Sequence, residues 1–301
     1  DARMHSLRWY RDTQAALTAA DLELVATDHN LIDACWHDRP APLVTAALLL
    51  DEHYTGEASS LKRERIGAQI AARGAQLALI FAPDSISWLF NIRGTDIPKL
   101  PVVQGMALLE SDGQATLRVD PARVPEGFAE HVGEGVTVCP EVEAASVLAG
   151  YGGRTVLADP DTANAWSQLV LEDGGARLLP GSDPVLLPKA CKNLIEIQGS
   201  RNAHIRDAVA EVRVLAWLDS EVAAGRLHDE DGLARLLLSF REQGEYFQDV
   251  SFDSISAAGP NAAMCHYNHL NVANPANLPM NSVYLIDSGG QYLDGTTDIT
   301  R

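Results

Sequence analysis

Two aspartates near the end of the chain carry the strongest chemical signal. Asp287 closes Ser282-Val-Tyr-Leu-Ile286, a β-branched and aromatic run of the kind that makes a strand. Asp298 lies in a second such run, Gly295-Thr-Thr-Asp-Ile-Thr300, flanked by Thr297 and Ile299. Ser288-Gly-Gly between them supplies turn residues, so a hairpin-like return is predicted to bring the two carboxylates together. Carboxylates held that close repel, and a proton, a basic side chain or a cation must relieve the repulsion. Arg301 is the nearest cation in sequence. Hard oxygen ligands suit Mg, Mn, Ca or Zn, and a metal pair roughly 3.5–4 Å apart is the usual arrangement for hydrolysing an amide with a bridging water. The plainer alternative is that both aspartates are turn residues capping strand ends.

Further candidates lie upstream. His266, in Met264-Cys-His-Tyr-Asn268, falls in a β-rich segment, where a lone histidine is commonly a satisfied structural residue; near a metal pair its imidazole could donate to a scissile carbonyl or a leaving nitrogen. His269 and the helical His204 are weaker candidates, His204 suiting a surface or helix-packing role. Tyr292 and the Thr296-Thr297 pair could steady the aspartates by hydrogen bonds, although packing explains Tyr292 equally well. The acidic trio Asp229-Glu-Asp231 precedes a helix, so N-terminal capping and dipole stabilisation explain it better than metal binding.

Asp287-Ser-Gly-x-Gln-Tyr292-x-Asp-Gly-Thr-Thr-Asp298-Ile-Thr-Arg301 resembles the first metal-ligand segment of the aminopeptidase P family, proline-specific metallopeptidases of pita-bread fold. Lys189-Ala-x-Lys-Asn193, Arg201-x-Ala-His204-Ile-x-Asp207, Phe247-x-Asp-Val-Ser-Phe252 and Gly259-Pro-Asn-x-Ala-x-x-His266-Tyr267 resemble earlier parts of that catalytic domain. Tyr54-Thr-Gly56 and Trp88-Leu-Phe-Asn-Ile-Arg-Gly94 are similar to segments of its three-domain members. The resemblance implies that Asp287 binds one metal, that Asp298 bridges two, and that His266 contacts substrate near the scissile bond. Tyr292, Thr297 and Arg301 would stand behind the ligands. It further implies two divalent ions, Mn first with Zn or Co as substitutes, and a homodimer acting on peptides with Xaa-Pro at the N-terminus. The family uses five protein ligands, and a His and two Glu would come from later segments; the chain is therefore expected to be an internal piece of a longer enzyme and inactive alone. A proline dipeptidase of the same fold and a non-catalytic pita-bread binding module are the competing readings.

The 301 residues, 46% of them hydrophobic, suffice for two or three domains with real cores. A formal charge of -18 argues against nucleic acid or an anionic membrane as partner, since both are polyanions. Cys35, Cys139, Cys191 and Cys265 are scattered without a Cys-x-x-Cys pair and are most simply buried thiols in a reducing cytoplasm. No apolar run reaches the roughly 18 residues of a membrane span.

The expected fold is α/β (α+β). Residues 1–57 resemble the tail of a first domain, 58–187 a creatinase-type N-terminal α/β domain, and 188–301 the opening part of a pita-bread catalytic domain. In the first stretch a helix is expected over Ser6–Ala20 and a strand over Leu22–Ala26, ending in Pro-rich Arg39–Pro42. Helices are expected from Ser59 and near Ser85–Ile92, Ala144–Leu148 and Thr162–Leu171, with strands at Leu77–Ala82, Val102–Leu109, Ala115–Val119 and Thr155–Ala158. Leu179-Pro-Gly-Ser-Asp-Pro-Val-Leu-Leu-Pro188 is expected to oppose regular structure. Beyond it, Ala203–Ala223 shows apolar rows at Ile205, Val209, Val212, Ala216 and at Leu215, Leu218, Val222, which predict a helix covered on more than one side. A second helix is expected over Asp231–Phe240.

Overall fold

The computed structural model describes residues 1–25, 27, 30–41 and 44–301. The chain forms two compact units. The first holds Asp1–Glu52, Glu57–Ile97 and Val102–Cys191, and the second holds Lys192–Arg301 together with the short segments His53–Gly56 and Pro98–Pro101.

Among the described residues, the first unit is built on a six-stranded mixed sheet ordered Val136–Cys139, Ala115–Arg118, Met106–Glu110, Leu77–Ile80, Thr155–Ala158, Arg177–Pro180. Its central strand shows why both faces are covered. Ala78 and Ile80 enter a core with Ile66, Ile70, Ile86 and Phe90, whereas Leu77 and Leu79 enter a second core with Leu108, Leu148 and Leu171. A continuous apolar run buried on both sides is the pattern of an inner strand between helical layers. Helices Ser59–Ala72 and Ala165–Asp173 supply those layers, and Trp88 is buried in the first core.

The outer strands Val136–Cys139 and Arg177–Pro180 escape a periodicity reading, being short and only partly buried. The proline-rich segment is more regular than expected: Leu179 and Pro180 complete a strand, and Leu186–Ala190 is a helix with Pro188 in its first turn. Proline in a helix's first turn forfeits only an N–H that has no intrahelical partner. Helix Leu7–Ala19 forms behind the Ser6 cap, but residues 22–25 are not a strand, and Ala26 and Pro42 lie outside the described residues. Of the cysteines only Cys139 is buried; Cys35, Cys191 and Cys265 are exposed, contrary to the expectation of four buried thiols.

In the second unit the long helix Leu194–Ala223 begins nine residues before the expected start, at a capping box in which Asn193 accepts from the Ile195 and Glu196 N–H groups and Glu196 reaches back to Asn193 N–H. Its buried face is Gly199, Ala203, Asp207, Ala210, Glu211, Val214 and Leu218. Helix Glu230–Arg241 packs on it through Leu233 and Leu237. The row Ile205, Val209, Val212 is 57–65% exposed, so among the described residues it is not the covered side. Two residues of offset turn a helix by about 200°, which puts this row opposite Ala203, Asp207 and Ala210.

Candidate functional site

Two small antiparallel sheets meet at the segment that carries the aspartates. Tyr284–Ser288 lies between Ile255–Ala258 and Ile299–Thr300 in one, and Gly290–Tyr292 lies between Phe247–Val250 and Gly295–Thr296 in the other. Ser288-Gly-Gly is therefore not the expected turn. The chain stays extended and crosses from one sheet to the next there, and the reversal falls at Leu293-Asp294. Glycine is needed at 289 for a different reason: a Cβ there would strike the Thr297 carbonyl oxygen and the Ser251 hydroxyl.

The register places Asp287, and the burial pattern orients Asp298, which lies with Thr297 between strands Gly295–Thr296 and Ile299–Thr300 rather than inside the one strand expected. Asp287 pairs with Thr300, whose Oγ1 donates to Asp287 Oδ1 at 2.8 Å, so those side chains share a face. Asp298 lies two residues before Thr300. Burial alternates along Thr297, Asp298, Ile299 and Thr300 as buried, exposed, buried, exposed, which puts Asp298 on the face of Thr300 and diagonal to Asp287. Diagonal neighbours in an antiparallel pair have Cα atoms about 7–8 Å apart, within reach of one pair of cations.

These two oxygen donors suit a hard divalent ion as part of a ligand set. Among the described residues no group of three or more His, Cys, Asp or Glu side chains is gathered to hold a metal.

Behind the aspartates lies a buried polar network that the sequence did not reveal. Arg241 donates through Nε to Asp207 Oδ1 (2.5 Å) and through Nη2 to Asp207 Oδ2 (3.2 Å), Glu211 Oε1 (3.0 Å) and Ser288 Oγ (3.0 Å). Ser288 in turn donates to Glu211 Oε1 at 2.9 Å. Tyr292 and Thr297, expected to steady the aspartates, donate instead to Asp207, at 3.1 and 2.5 Å. Thr296 donates to Gln291 Oε1. Burial pushes the Glu211 carboxyl above its ordinary range, against the pull of the Ser288 hydroxyl and the Arg241 guanidinium. Burial likewise pushes the Tyr292 phenol up, and the neighbouring Asp207 charge adds to that. Ser288 and Thr297 are each the chain neighbour of a candidate ligand, so the network fixes the strand that carries Asp287 and the link between strands that carries Asp298.

The hairpin tip packs tightly on the long helix. A Cβ at Gly199 would strike the Asp294 carbonyl oxygen, Gly295 lies against Ser200 and Ala203, and Arg206 pairs with Asp294.

His266 is not in a β segment. It is an exposed residue of an irregular loop with a left-handed backbone, φ 55°, beside buried Tyr267. No described hydrogen bond joins it to Asp287 or Asp298. Arg301 is exposed; its guanidinium donates to the Thr300 carbonyl at 2.7 Å and acts on Glu211 at longer range. His204 is exposed on the long helix with Nδ1 2.8 Å from the Ser200 carbonyl, His269 is buried, and Asp229 caps its helix through Gly232 N–H at 2.7 Å.

The fold is thus a creatinase-type α/β domain followed by a pita-bread metallopeptidase domain. The chain belongs to the creatinase/prolidase N-terminal domain family, which matches residues 38–196, and residues 198–301 match metallopeptidase family M24. It is 35% identical over 298 residues to a probable Xaa-Pro aminopeptidase P of Tuber melanosporum, covering 92% of this chain and 47% of the relative. It is 32% identical to an Xaa-Pro aminopeptidase of Drosophila melanogaster, covering 100% of this chain and 49% of that protein. The crystal structure of a Caenorhabditis elegans X-prolyl aminopeptidase, described as a cytosolic enzyme with a di-nuclear active site, superposes with a TM-score of 0.90 at 31% identity over 99% of this chain and 49% of that one. The chain spans about half the length of the curated relatives it matches.

Proposed function

We propose that the protein is an Xaa-Pro aminopeptidase that releases the N-terminal residue from peptides with proline in second position. The observation that carries this reading is that Asp287 pairs with Thr300, two residues beyond Asp298, and that burial alternates from Thr297 to Thr300 so that Asp298 and Thr300 are both exposed. The relatedness to Xaa-Pro aminopeptidases supports it. Asp287 and Asp298 would hold two divalent cations, Mn by family resemblance, which when bound supply Lewis acidity and an activated water. His266 would donate a proton or hydrogen bond at the scissile amide. Tyr292 and Thr297 act at one remove, by tying their strands to Asp207, and Arg301 offsets negative charge beside the site. Peptide substrates, a homodimeric state and a cytoplasmic location complete the reading, and residues 1–57, 58–187 and 188–301 are assigned to the end of a preceding domain, a creatinase-like domain and the catalytic domain.

The test is hydrolysis of an Arg-Pro-Pro tripeptide with Mn by the natural-length protein, beside an Xaa-Pro dipeptide. Release of Arg from the tripeptide, abolished by Asp298→Ala, is expected. Cleavage of the dipeptide alone would move the assignment to a proline dipeptidase. Inertness with Mn and Zn would remove the peptidase reading in favour of a binding module.

A further inference from the structure

Glu230 opens helix Glu230–Arg241 and is completely buried, although its neighbours in the acidic trio face outward enough to cap the helix and pair with Arg235. Its four hydrogen-bond donors are all neutral. Oε1 accepts from Ala258 N–H at 2.8 Å and Asn261 Nδ2 at 2.9 Å; Oε2 accepts from the Tyr267 hydroxyl at 2.8 Å and Ala276 N–H at 3.1 Å. Asn261 Nδ2 also reaches the Tyr267 hydroxyl at 3.0 Å. A buried carboxylate is tolerated when donors fill its lone pairs, and here all four come from the loop that follows strand Ile255–Ala258 or from that strand's end.

His266 lies inside this grip. Asn261 and Tyr267 are both tied to Glu230, and between them Met264 N–H bonds the Asn261 carbonyl (3.1 Å) and Tyr267 N–H the Met264 carbonyl (3.3 Å). A left-handed backbone is strained for a non-glycine residue, and such strain persists only where the surroundings over-determine it. The hub and the strained residue are independent observations that meet at one loop.

We propose that Glu230 is a positioning residue, whose buried carboxylate, by gripping Asn261, Tyr267 and two backbone N–H groups, holds the left-handed turn that presents His266. The inference rests on the reading that His266 serves the reaction. Asp287 and Asp298 bond none of the hub atoms, so loosening the hub alters the presentation of His266 without stripping metal.

The experiment uses the natural-length protein with Mn and an Arg-Pro-Pro peptide. Glu230→Gln tests the carboxylate directly, and Tyr267→Phe removes one hydroxyl in case the first variant folds poorly. Each is expected to lower kcat about ten- to a hundredfold, with KM and bound metal unchanged. In a His266→Ala background, Tyr267→Phe is expected to cost less than about twofold, because the two changes act through one group. Equal losses in both backgrounds would show a general structural role and overturn the inference, as would full kcat in His266→Ala alone. The His266 amide and imidazole resonances, followed by NMR, decide the matter apart from catalysis: they should move in Tyr267→Phe. Moved resonances in a protein without peptidase activity would uphold the positioning and sink the peptidase reading; unmoved resonances would sink the positioning whatever the activity.

Discussion

Asp207 and Glu211 stand one turn apart on the buried face of the long helix, and the Arg241 guanidinium answers both. Removing one partner of a buried ion cluster leaves uncompensated charge, which costs more than the cluster itself contributes. Arg241→Met is therefore expected to destabilise the protein by about 3–5 kcal/mol in urea unfolding. A loss under about 1 kcal/mol would mean that the carboxyls neutralise themselves by taking up protons. Glu230 makes a pH prediction of its own. Burial alone would raise its pKa, but the bonds from Asn261, Ala258 N–H, Tyr267 and Ala276 N–H together hold it below the ordinary glutamate range. A depressed folded value stabilises the fold fully above the unfolded pKa of about 4.3 and is lost as pH falls through the folded value. Glu230→Gln should flatten the fall in stability below about pH 5, and an undiminished slope would count against the assignment. The sequence marks Glu230 only as part of an acidic trio before a helix and Asp207 only as the end of a family-like segment, and it marks Glu211 and Arg241 not at all. Asp207, Glu211 and Arg241 look like ordinary helix-surface charges until a partner helix and a strand close over them.

The long helix shows what periodicity can and cannot decide. Its existence was legible, and so was a helix over Glu230–Arg241. The choice of face was legible only in part: the row Leu215, Leu218, Val222 reaches the packed side at Leu218 and Val222, but earlier in the helix the buried side is Gly199, Ala203 and Ala210 with two acids, while branched residues at Ile205, Val209 and Val212 lie outward. Small residues there let a hairpin lie against the helix axis, a closeness that hydrophobicity does not encode. Gly199→Ala should consequently cost more than about 2 kcal/mol, since its Cβ meets a backbone carbonyl that cannot swing aside. At the helix start, Asn193 both completes the capping box and donates to the Thr55 carbonyl at 2.8 Å, so Asn193→Ala should cost about 1–2 kcal/mol in thermal unfolding. The strand of Asp287 was legible from its β-branched and aromatic run, whereas the run around Asp298 divides between two sheets, with Thr297 and Asp298 linking strand Gly295–Thr296 to strand Ile299–Thr300. The glycines between the two aspartates misled as well, because the same residue type serves turns and close backbone approach.

At the scale of the chain, the proposed reading makes the two carboxylates metal donors, and among the described residues no group of three or more metal-ligating side chains is gathered around them. A cation would relieve their mutual repulsion, but two donors alone hold it weakly, since metal affinity depends on a complete and preformed donor set. Metal bound to the folded state stabilises it by mass action, about 2.7 kcal/mol at a hundredfold excess over Kd. If the remaining ligands come from sequence like that which the relatives carry beyond the matched half, chelation should separate two proteins that share these 301 residues. EDTA is expected to lower the melting temperature of the natural-length protein by several degrees and to leave the 301-residue chain where it was. Asp298→Ala should erase the difference in the longer protein. A chain of 301 residues that is itself stabilised by Mn, and destabilised by EDTA, would show that Asp287 and Asp298 find their partners within it, and the dependence on later ligands would fall.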